Sequence, residues 1–405
     1  MRISSEGFAD LHELRACLDR SGYNAVICAL LGGDYYRWPA CRSAERIRKA
    51  LPRVPSDLRL LLRLLLLGEP VSLTRIKRLL PQSAFDGLTH RGYLQANGRR
   101  LQTAAGLALI PAWDKYLWVD HPDASDAGTA ERVYIGDDSY IMASQLRPVR
   151  GRRALDIGTG TGLLALLTAG HVSHVLASDV DELALERTRI NAALNGLQAT
   201  ISPIASDMFT SIADQPFDYI CANPPFLPVP DGVTMPPSVS GGRDGMDFLR
   251  SILQGLETHL APGGRCQVLC STPVLQDGSM PVEGLGRALC RKGFDCSLVL
   301  LQVLPARQSI ARRKDELAAW LSISPEAAAQ LWRRHFRALG IKSNGVLLVQ
   351  ADRRRDGEPG STRVHGPLFP AHRKKAPQPD TQGHRQIGEA ILSRLFEMEH
   401  LDSQK

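Results

Sequence analysis

A chain of 405 residues, 43% hydrophobic and 22% charged, holds enough apolar material for the cores of two or three domains. No apolar run reaches eighteen residues, and the richest stretch, Leu58 to Leu67, is broken by Arg59 and Arg63, which excludes a membrane-spanning helix. A formal charge of +7 permits an acidic partner such as nucleic acid without requiring one.

Eight cysteines, at 17, 28, 41, 221, 266, 270, 290 and 296, form no Cys-x-x-Cys pair, and several lie in apolar stretches. Buried free thiols in a reducing, cytoplasmic compartment are the expectation, and the N-terminus carries no secretory apolar segment. The eleven histidines are scattered without ligand spacing, so no metal is expected.

Residues 1–130 read as an accessory unit. Phe8 to Leu18 and Ser43 to Ala50 are expected helices, and Ser56 to Leu67 a leucine-rich one. Ser72 is placed to cap a helix that ends before Pro81. Ser83 to Arg91 follows, and Tyr93 to Leu101 predicts a hairpin around Asn97-Gly98. Three short helices and a hairpin suggest a winged-helix-like α+β domain. Its third helix, the one that enters the major groove in DNA-binding relatives of that fold, would carry only Asp86, His90 and Arg91. Packing, dimerisation or substrate presentation is therefore the expected role, with Trp113, Tyr116 and Trp118 in the core.

The most informative segment is Leu155-Asp156-Ile157-Gly158-Thr159-Gly160-Thr161-Gly162. It reads as a buried strand, Ala154 to Ile157, a glycine turn, and an apolar helix from Leu163 to Ala169. Glycines let the backbone pass close to a ligand, and the helix start offers free N–H groups. Alone the pattern also serves dinucleotides or a plain tight connection. A second short strand, Val175 to Asp179, ends in a carboxylate, which in a doubly wound sheet lies beside the glycine turn. Asp181 is placed to cap the helix Leu183 to Leu194. A third strand, Thr200 to Ile204, leads into Asp207-Met208, and a fourth ends in Asn223-Pro224-Pro225-Phe226.

Together these segments resemble the class I S-adenosylmethionine methyltransferases, and Asn223 to Phe226 match the Asn-Pro-Pro-aromatic signature of members that methylate nitrogen. The resemblance spans roughly Val133 to Thr272. It implies a Rossmann-like α/β sheet and S-adenosyl-L-methionine as cofactor, cradled by Gly158, Thr159, Gly160 and Gly162. By the same resemblance Asp179 accepts the ribose hydroxyls, Asp207 the adenine amine, and the Met208 N–H meets a ring nitrogen. Asp156 lies near the methionine amino group or orders the glycine loop. Tyr134 to Ala143, with Gly136-Asp137-Asp138-Ser139, resembles the segment that covers the methionine end. Ser240 to Arg250, with Gly241-Gly242-Arg243-Asp244-Gly245, resembles a segment of the bacterial enzymes that methylate release-factor glutamine.

The chemistry explains the signature. An amide or exocyclic amine nitrogen has a delocalised lone pair and reacts only when its N–H bonds are held. Asn223, acting also beside the cofactor, and the Pro224 carbonyl supply two acceptors, and proline rigidifies them. Phe226 offers a face on which a planar group stacks, and which favours developing positive charge. Such positioning supplies about 7–11 kcal/mol without metal or covalent nucleophile.

Toward the C-terminus, Met246 to His259 reads as a helix, Leu260 to Gly264 as a turn and Arg265 to Ser271 as a strand. Gly284 to Lys292 is an expected helix, and Asp295 to Leu304 with Gly345 to Ala351 an antiparallel terminal hairpin. The catalytic domain is thus expected over 131–351 with an insertion at 306–341. In the insertion Ser324 caps a helix begun by Pro325 and ended by Gly340, and Trp332 and Phe336 are expected to pack against the sheet. Residues 352–405 read as a basic, partly disordered tail with a terminal helix, Gln386 to Glu399. Much of the positive charge is expected around the insertion helix, at Arg307, Arg312, Arg313, Lys314, Arg333, Arg334 and Arg337, and in the tail, at Arg353 to Arg355 and Arg373 to Lys375. The expected activity is N-methylation of a protein glutamine, an RNA base or a small molecule. The intact Asn223 to Phe226 argues against a non-catalytic DNA-binding regulator.

Overall fold

A computed structural model describes residues 8–31, 41–120, 132–213 and 215–366. The expected terminal helix at 386–399 lies outside the described residues. The N-terminal part begins with α1 (Ala9–Arg20), α2 (Tyr23–Leu31) and α3 (Cys41–Ala50), followed by α4 (Ser56–Leu61), which widens into a π turn over Leu62–Leu66. Next come β1 (Val71–Ser72), α5 (Leu73–Leu79), α6 (Gln82–His90), β2 (Leu94–Asn97) and β3 (Arg100–Thr103). Ser72 caps α5, its side chain accepting from the Arg75 N–H. The helix α2 was not legible beforehand, because its run of apolar residues has neither periodicity nor a capping side chain. The hairpin turn sits one residue later than expected. Asn97 pairs with Arg100, so Gly98-Arg99 forms the loop, with Gly98 at φ +58°. Strand order β1-β3-β2 joins this hairpin to α5.

A second hairpin, β4 (Leu107–Ala112) and β5 (Lys115–Asp120), connects this part to the rest. The catalytic part then runs α7 (Asp137–Gln145), β6 (Gly151–Ile157), α8 (Leu163–Thr168), β7 (Val172–Asp179), α9 (Glu182–Leu194), β8 (Ile201–Ala205), β9 (Phe217–Ala222) and α10 (Asp247–His259). It continues with β10 (Leu260–Leu275), α11 (Pro281–Cys290), β11 (Phe294–Pro305), α12 (Ala306–Leu321), α13 (Pro325–Ala338), β12 (Ile341–Arg353) and β13 (Thr362–His365). Eight strands form one sheet in the order β13-β11-β12-β10-β9-β6-β7-β8. The segment β8-β7-β6-β9-β10 is parallel, and β12 runs antiparallel to both β10 and β11. Three details differ from expectation. Leu260 already pairs with Phe217, so residues 261–264 bulge within β10 rather than preceding it. The Arg-rich segment after Pro305 is helical as α12. The start of the tail adds β13 to the sheet edge, parallel to β11.

Side chains along the central strands alternate between two faces. Ala154, Tyr219 and Cys221 join a core with α8, α9 and the N-terminal helices, while Leu155, Ile157, Ile220 and Ala222 join one with α10 and α11. The first core is continuous from Phe8 through the β4–β5 hairpin to the sheet, so nothing in it breaks near residue 130. The attachment is polar as well as apolar. Asn191 on α9 accepts from the Trp118 N–H (2.8 Å) and donates to the Trp118 carbonyl (3.1 Å), and Asn195 does the same with Tyr116 (3.0 and 2.7 Å).

Candidate functional site

Register brings the predicted segments together. Ile157, the last residue of β6, lies beside Ala222 of β9 and Ser178 of β7, and Asp179 lies beside Ala205 of β8. Chain order reverses between β6 and β9, the position at which open α/β sheets bind ligands at the carboxyl ends of their strands. The glycine loop, Asp179, Asp207 and Asn223 therefore leave four neighbouring strand ends on one edge.

Gly158, Gly160 and Gly162 all adopt positive φ, at +68°, +54° and +82°. A methyl group on Gly158 or Gly160 would meet nothing within 4 Å, so the loop turns an open face outward. At Gly162 it would come within 3.0 Å of Thr188, whose hydroxyl donates to the Gly160 carbonyl. The Asp179 carboxylate accepts from the Gly160 N–H (2.9 Å) and the Asp181 N–H (3.1 Å), and its burial pushes it up from the ordinary carboxylate range. Asp181 caps α9 through the Leu183 N–H. Asp207 is exposed, and Met208 takes φ +52°, a strained conformation that turns the backbone at this strand end.

Asp156 is fully buried and accepts from the Thr159 hydroxyl (2.7 Å) and the Ala165 N–H (3.0 Å). These two bonds tie it to the glycine loop and to α8. Burial lifts its carboxyl to about 7, against the pull of those two hydrogen bonds. An unfolded aspartate ionises near about 3.9, so between that pH and about 7 the unfolded chain releases a proton that the folded protein keeps. Stability contributed by this group is therefore lost as pH rises through that window. Asp156→Asn retains an acceptor for Thr159 and Ala165 but does not titrate. We expect the variant to gain ~1–4 kcal/mol relative to the unmutated protein from pH 4 to pH 7. Urea midpoints across that range read the difference, and parallel pH profiles would contradict it.

Asn223 has its side-chain NH2 held by the Asp138 carboxylate (3.0 Å) and the Ser139 hydroxyl (3.2 Å), both at the start of α7. A carboxylate only accepts, so the amide nitrogen must face Asp138. The amide oxygen then points the other way, where it is buried and has no hydrogen-bond partner. Pro224 is buried and Phe226 half-buried, with the Phe226 carbonyl accepting from the Ser271 hydroxyl at 2.8 Å. Beyond Phe226 the chain zips to the Gly241-Gly242 segment through Leu227 and Val229. Gly241 is glycine for a steric reason, since a methyl there would lie 2.6 Å from the Phe226 backbone. Gly241→Ala is expected to cost ~1–3 kcal/mol of stability through overpacking. Displacing Phe226 should also lower turnover at least tenfold, and unchanged single-turnover rates would refute that coupling.

The insertion packs against β11 and β12, as expected, and also closes over this loop. Trp332 donates from its indole N–H to the Pro228 carbonyl (3.1 Å), and His335 Nε2 to the Arg243 carbonyl (2.7 Å). Trp332 and Phe336 share a cluster with Leu227, Met235 and Ile341. Opposite, α12 brings Glu316 and Arg313 toward Tyr134 and Asp138. Burial, and beyond it the Asp138 charge, push the Glu316 carboxyl up against the pull of Arg313. Sequence reasoning missed the Asp138–Asn223 contact and these insertion contacts, because each joins segments far apart in the chain.

Among the described residues, no three His, Cys, Asp or Glu side chains are grouped to hold a metal, and no helix is long and apolar enough to cross a membrane. The strand order and the glycine, carboxylate and Asn-Pro-Pro-Phe edge define a class I methyltransferase fold. The methyltransferase small domain family matches residues 131–276. A putative protein N5-glutamine methyltransferase of Methanocaldococcus jannaschii is 30% identical over 141 residues, covering 34% of this chain and 70% of the relative. The chain belongs to this family of S-adenosylmethionine-dependent methyltransferases. Release factor glutamine methyltransferase of Deinococcus radiodurans is 35% identical over 135 residues, 31% of this chain and 48% of that protein. Ribosomal RNA small subunit methyltransferase C of Salmonella arizonae is 28% identical over 174 residues, 42% of this chain and 46% of that one. The chain thus spans about half the length of these last two relatives.

The residues present fit the family's cofactor. The glycine loop has no atom within 4 Å of a methyl placed on Gly158 or Gly160, the Asp179 carboxylate beside it is an acceptor suited to hydroxyls, and the buried Asn223 oxygen has no protein partner.

Proposed function

We propose that the protein transfers a methyl group from S-adenosylmethionine to a planar amide or exocyclic amine nitrogen. The observation that carries this reading is the Asn223 amide oxygen, buried and without a partner, at the end of β9 beside the glycine loop. A buried unpaired acceptor costs about 1–3 kcal/mol, and a substrate N–H recovers that cost on binding. S-adenosylmethionine, when bound, supplies a methyl group activated by its sulfonium.

The chain's own residues do the rest. Asp138 and Ser139 fix the Asn223 amide so that its oxygen aims at the acceptor. Holding one N–H there directs the nitrogen lone pair away from that bond, and Phe226 gives the planar group a face. Gly158, Thr159, Gly160, Gly162, Asp179, Asp207 and Met208 are the proposed cofactor contacts that set affinity, with Asp156 ordering the loop and Asn223 lying beside the cofactor while its oxygen serves the acceptor.

The first acceptor class is a protein glutamine, supported by the names of two relatives and by the Gly241 to Gly245 segment packed against Phe226. The second is an RNA base amine, supported by the ribosomal RNA methyltransferase and by the basic charge. Tritium-methyl transfer from labelled cofactor to a lysate fractionated into protein, RNA and small molecules tests the proposal. Label is expected in one macromolecular fraction, and no incorporation in any fraction would sink it.

A further inference from the structure

Positive charge is not confined to the Arg-rich helices and tail. Residues 41–103 hold 13 of the chain's 49 Lys and Arg but only 4 of its 42 Asp and Glu, a formal +9 against +7 for the whole chain. The rest of the chain sums to −2, although residues 306–341 hold 7 Lys and Arg against 3 Asp and Glu. We propose that residues 41–103 form a nucleic-acid docking surface that grips phosphates through α3, α5 and the β2–β3 turn, and not through α6.

Three observations carry this. First, the cations are solvent-facing and contiguous. Lys49, Arg75, Lys77, Arg78, Arg99 and Arg100 are exposed. The Arg99 carbonyl accepts from the Leu73 N–H at the start of α5, and Arg100 pairs with Ser72, so the turn and α5 make one surface. Arg48 and Arg63 share Glu69, and Arg100 donates to the neighbouring Pro70 carbonyl, which ties the α3 side to the same edge.

Second, α6, the helix that the winged-helix-like expectation would place in a groove, is occupied. Asp10 of α1 lies so close to Gly87 of α6 that no side chain fits there, Asp10 pairs with Arg91, and Glu13 accepts from Ser83. These contacts set two carboxylates against α6, where phosphate would be repelled. Base readout by α6 in a major groove is thereby blocked, and backbone gripping remains.

Third, the face has no apolar anchor. The large hydrophobic side chains exposed among the described residues are Tyr134, Ile141, Val180 and Val364, none of them within 41–103. Protein interfaces centre on buried apolar or aromatic anchors, whereas phosphate contacts need only Arg and Lys.

This inference goes beyond the methyl-transfer reading, and binding alone tests it, so either can fail without the other. Fluorescence anisotropy with a labelled RNA hairpin should show affinity falling about 50-fold or more between 50 and 200 mM salt, as four or more neutralised phosphates require. The variant combining R75Q, K77Q, R78Q and R99Q should bind at least 30-fold more weakly at 50 mM salt, with a slope reduced by about 0.7–0.9 per lost contact. Unchanged circular dichroism and melting would establish that it folds. A control removing four cations of the insertion, R312Q, R333Q, R334Q and R337Q, should lose less than threefold. Preference for RNA over a DNA hairpin of the same sequence identifies an A-form backbone, and equal affinity a general phosphate grip; both support the surface. Equal loss in the control, wild-type affinity in the first variant, absence of binding, or tighter binding of poly-L-glutamate than of RNA would each overturn it, the last assigning the face to an acidic protein.

Discussion

Asn223→Ala is expected to slow methyl transfer at least a hundredfold while leaving cofactor affinity within about threefold. A hundredfold corresponds to about 2.7 kcal/mol of transition-state stabilisation, the scale of one well-aimed hydrogen bond in a water-excluded site. The geometry explains why the loss falls on chemistry. The amide nitrogen is committed to Asp138 and Ser139, and the oxygen that alanine removes is the unpaired one. Without it the acceptor nitrogen still reaches the site but is no longer held in line. Single-turnover rates with the acceptor fraction found in the lysate assay, beside calorimetric titration of S-adenosylmethionine, separate the two steps. A variant that binds cofactor poorly yet reacts normally once saturated would move Asn223 out of the acceptor role.

Asp179→Ala is expected to weaken S-adenosylmethionine binding by ~2–4 kcal/mol, roughly thirtyfold to a thousandfold, through two lost hydrogen bonds to a charged acceptor at ~1.5–3 kcal/mol each, partly replaced by water. The carboxylate also holds the Gly160 N–H, so alanine loosens the loop as well. Asp179→Asn separates these effects. Its amide oxygen can keep the Gly160 bond, but its NH2 cannot accept from a second hydroxyl, so an intermediate loss is expected. Equal affinity in all three proteins by calorimetry would remove Asp179 from the ribose role.

Much of this site was legible because it is local. The glycine turn, the carboxylate at Asp179 and the Asn223 to Phe226 run each sit at the end of a strand whose apolar pattern announces it. Once the strands are parallel, their carboxyl ends must meet. The Ser72, Asp181 and Ser324 caps were legible for the same reason, since a cap depends on residues two or three apart. What could not be read depends on tertiary approach. Asp138 stands 85 positions from Asn223, and Trp332 stands 104 from Pro228. The charge asymmetry of residues 41–103 was in the sequence throughout, but thirteen dispersed cations lack the local density that draws attention to Arg333, Arg334 and Arg337.

The clasp between α9 and β5 bears on how portable the N-terminal unit is. Four residues of helix advance about 6 Å and two residues of strand about 6.6 Å, so amides at 191 and 195 fall opposite the backbone at 118 and 116, and the helix stands in for a missing neighbouring strand. Asn191 also donates to the Thr161 carbonyl (2.9 Å), so the same amide ends in the glycine loop. A chimera that grafts residues 1–130 onto another catalytic domain would strand four backbone groups of Tyr116 and Trp118, at about 1–3 kcal/mol for each that stays buried. Such a graft keeps these bonds only where the recipient helix offers an amide donor and acceptor at both positions. Two side chains thus decide which catalytic partners the N-terminal unit can accept.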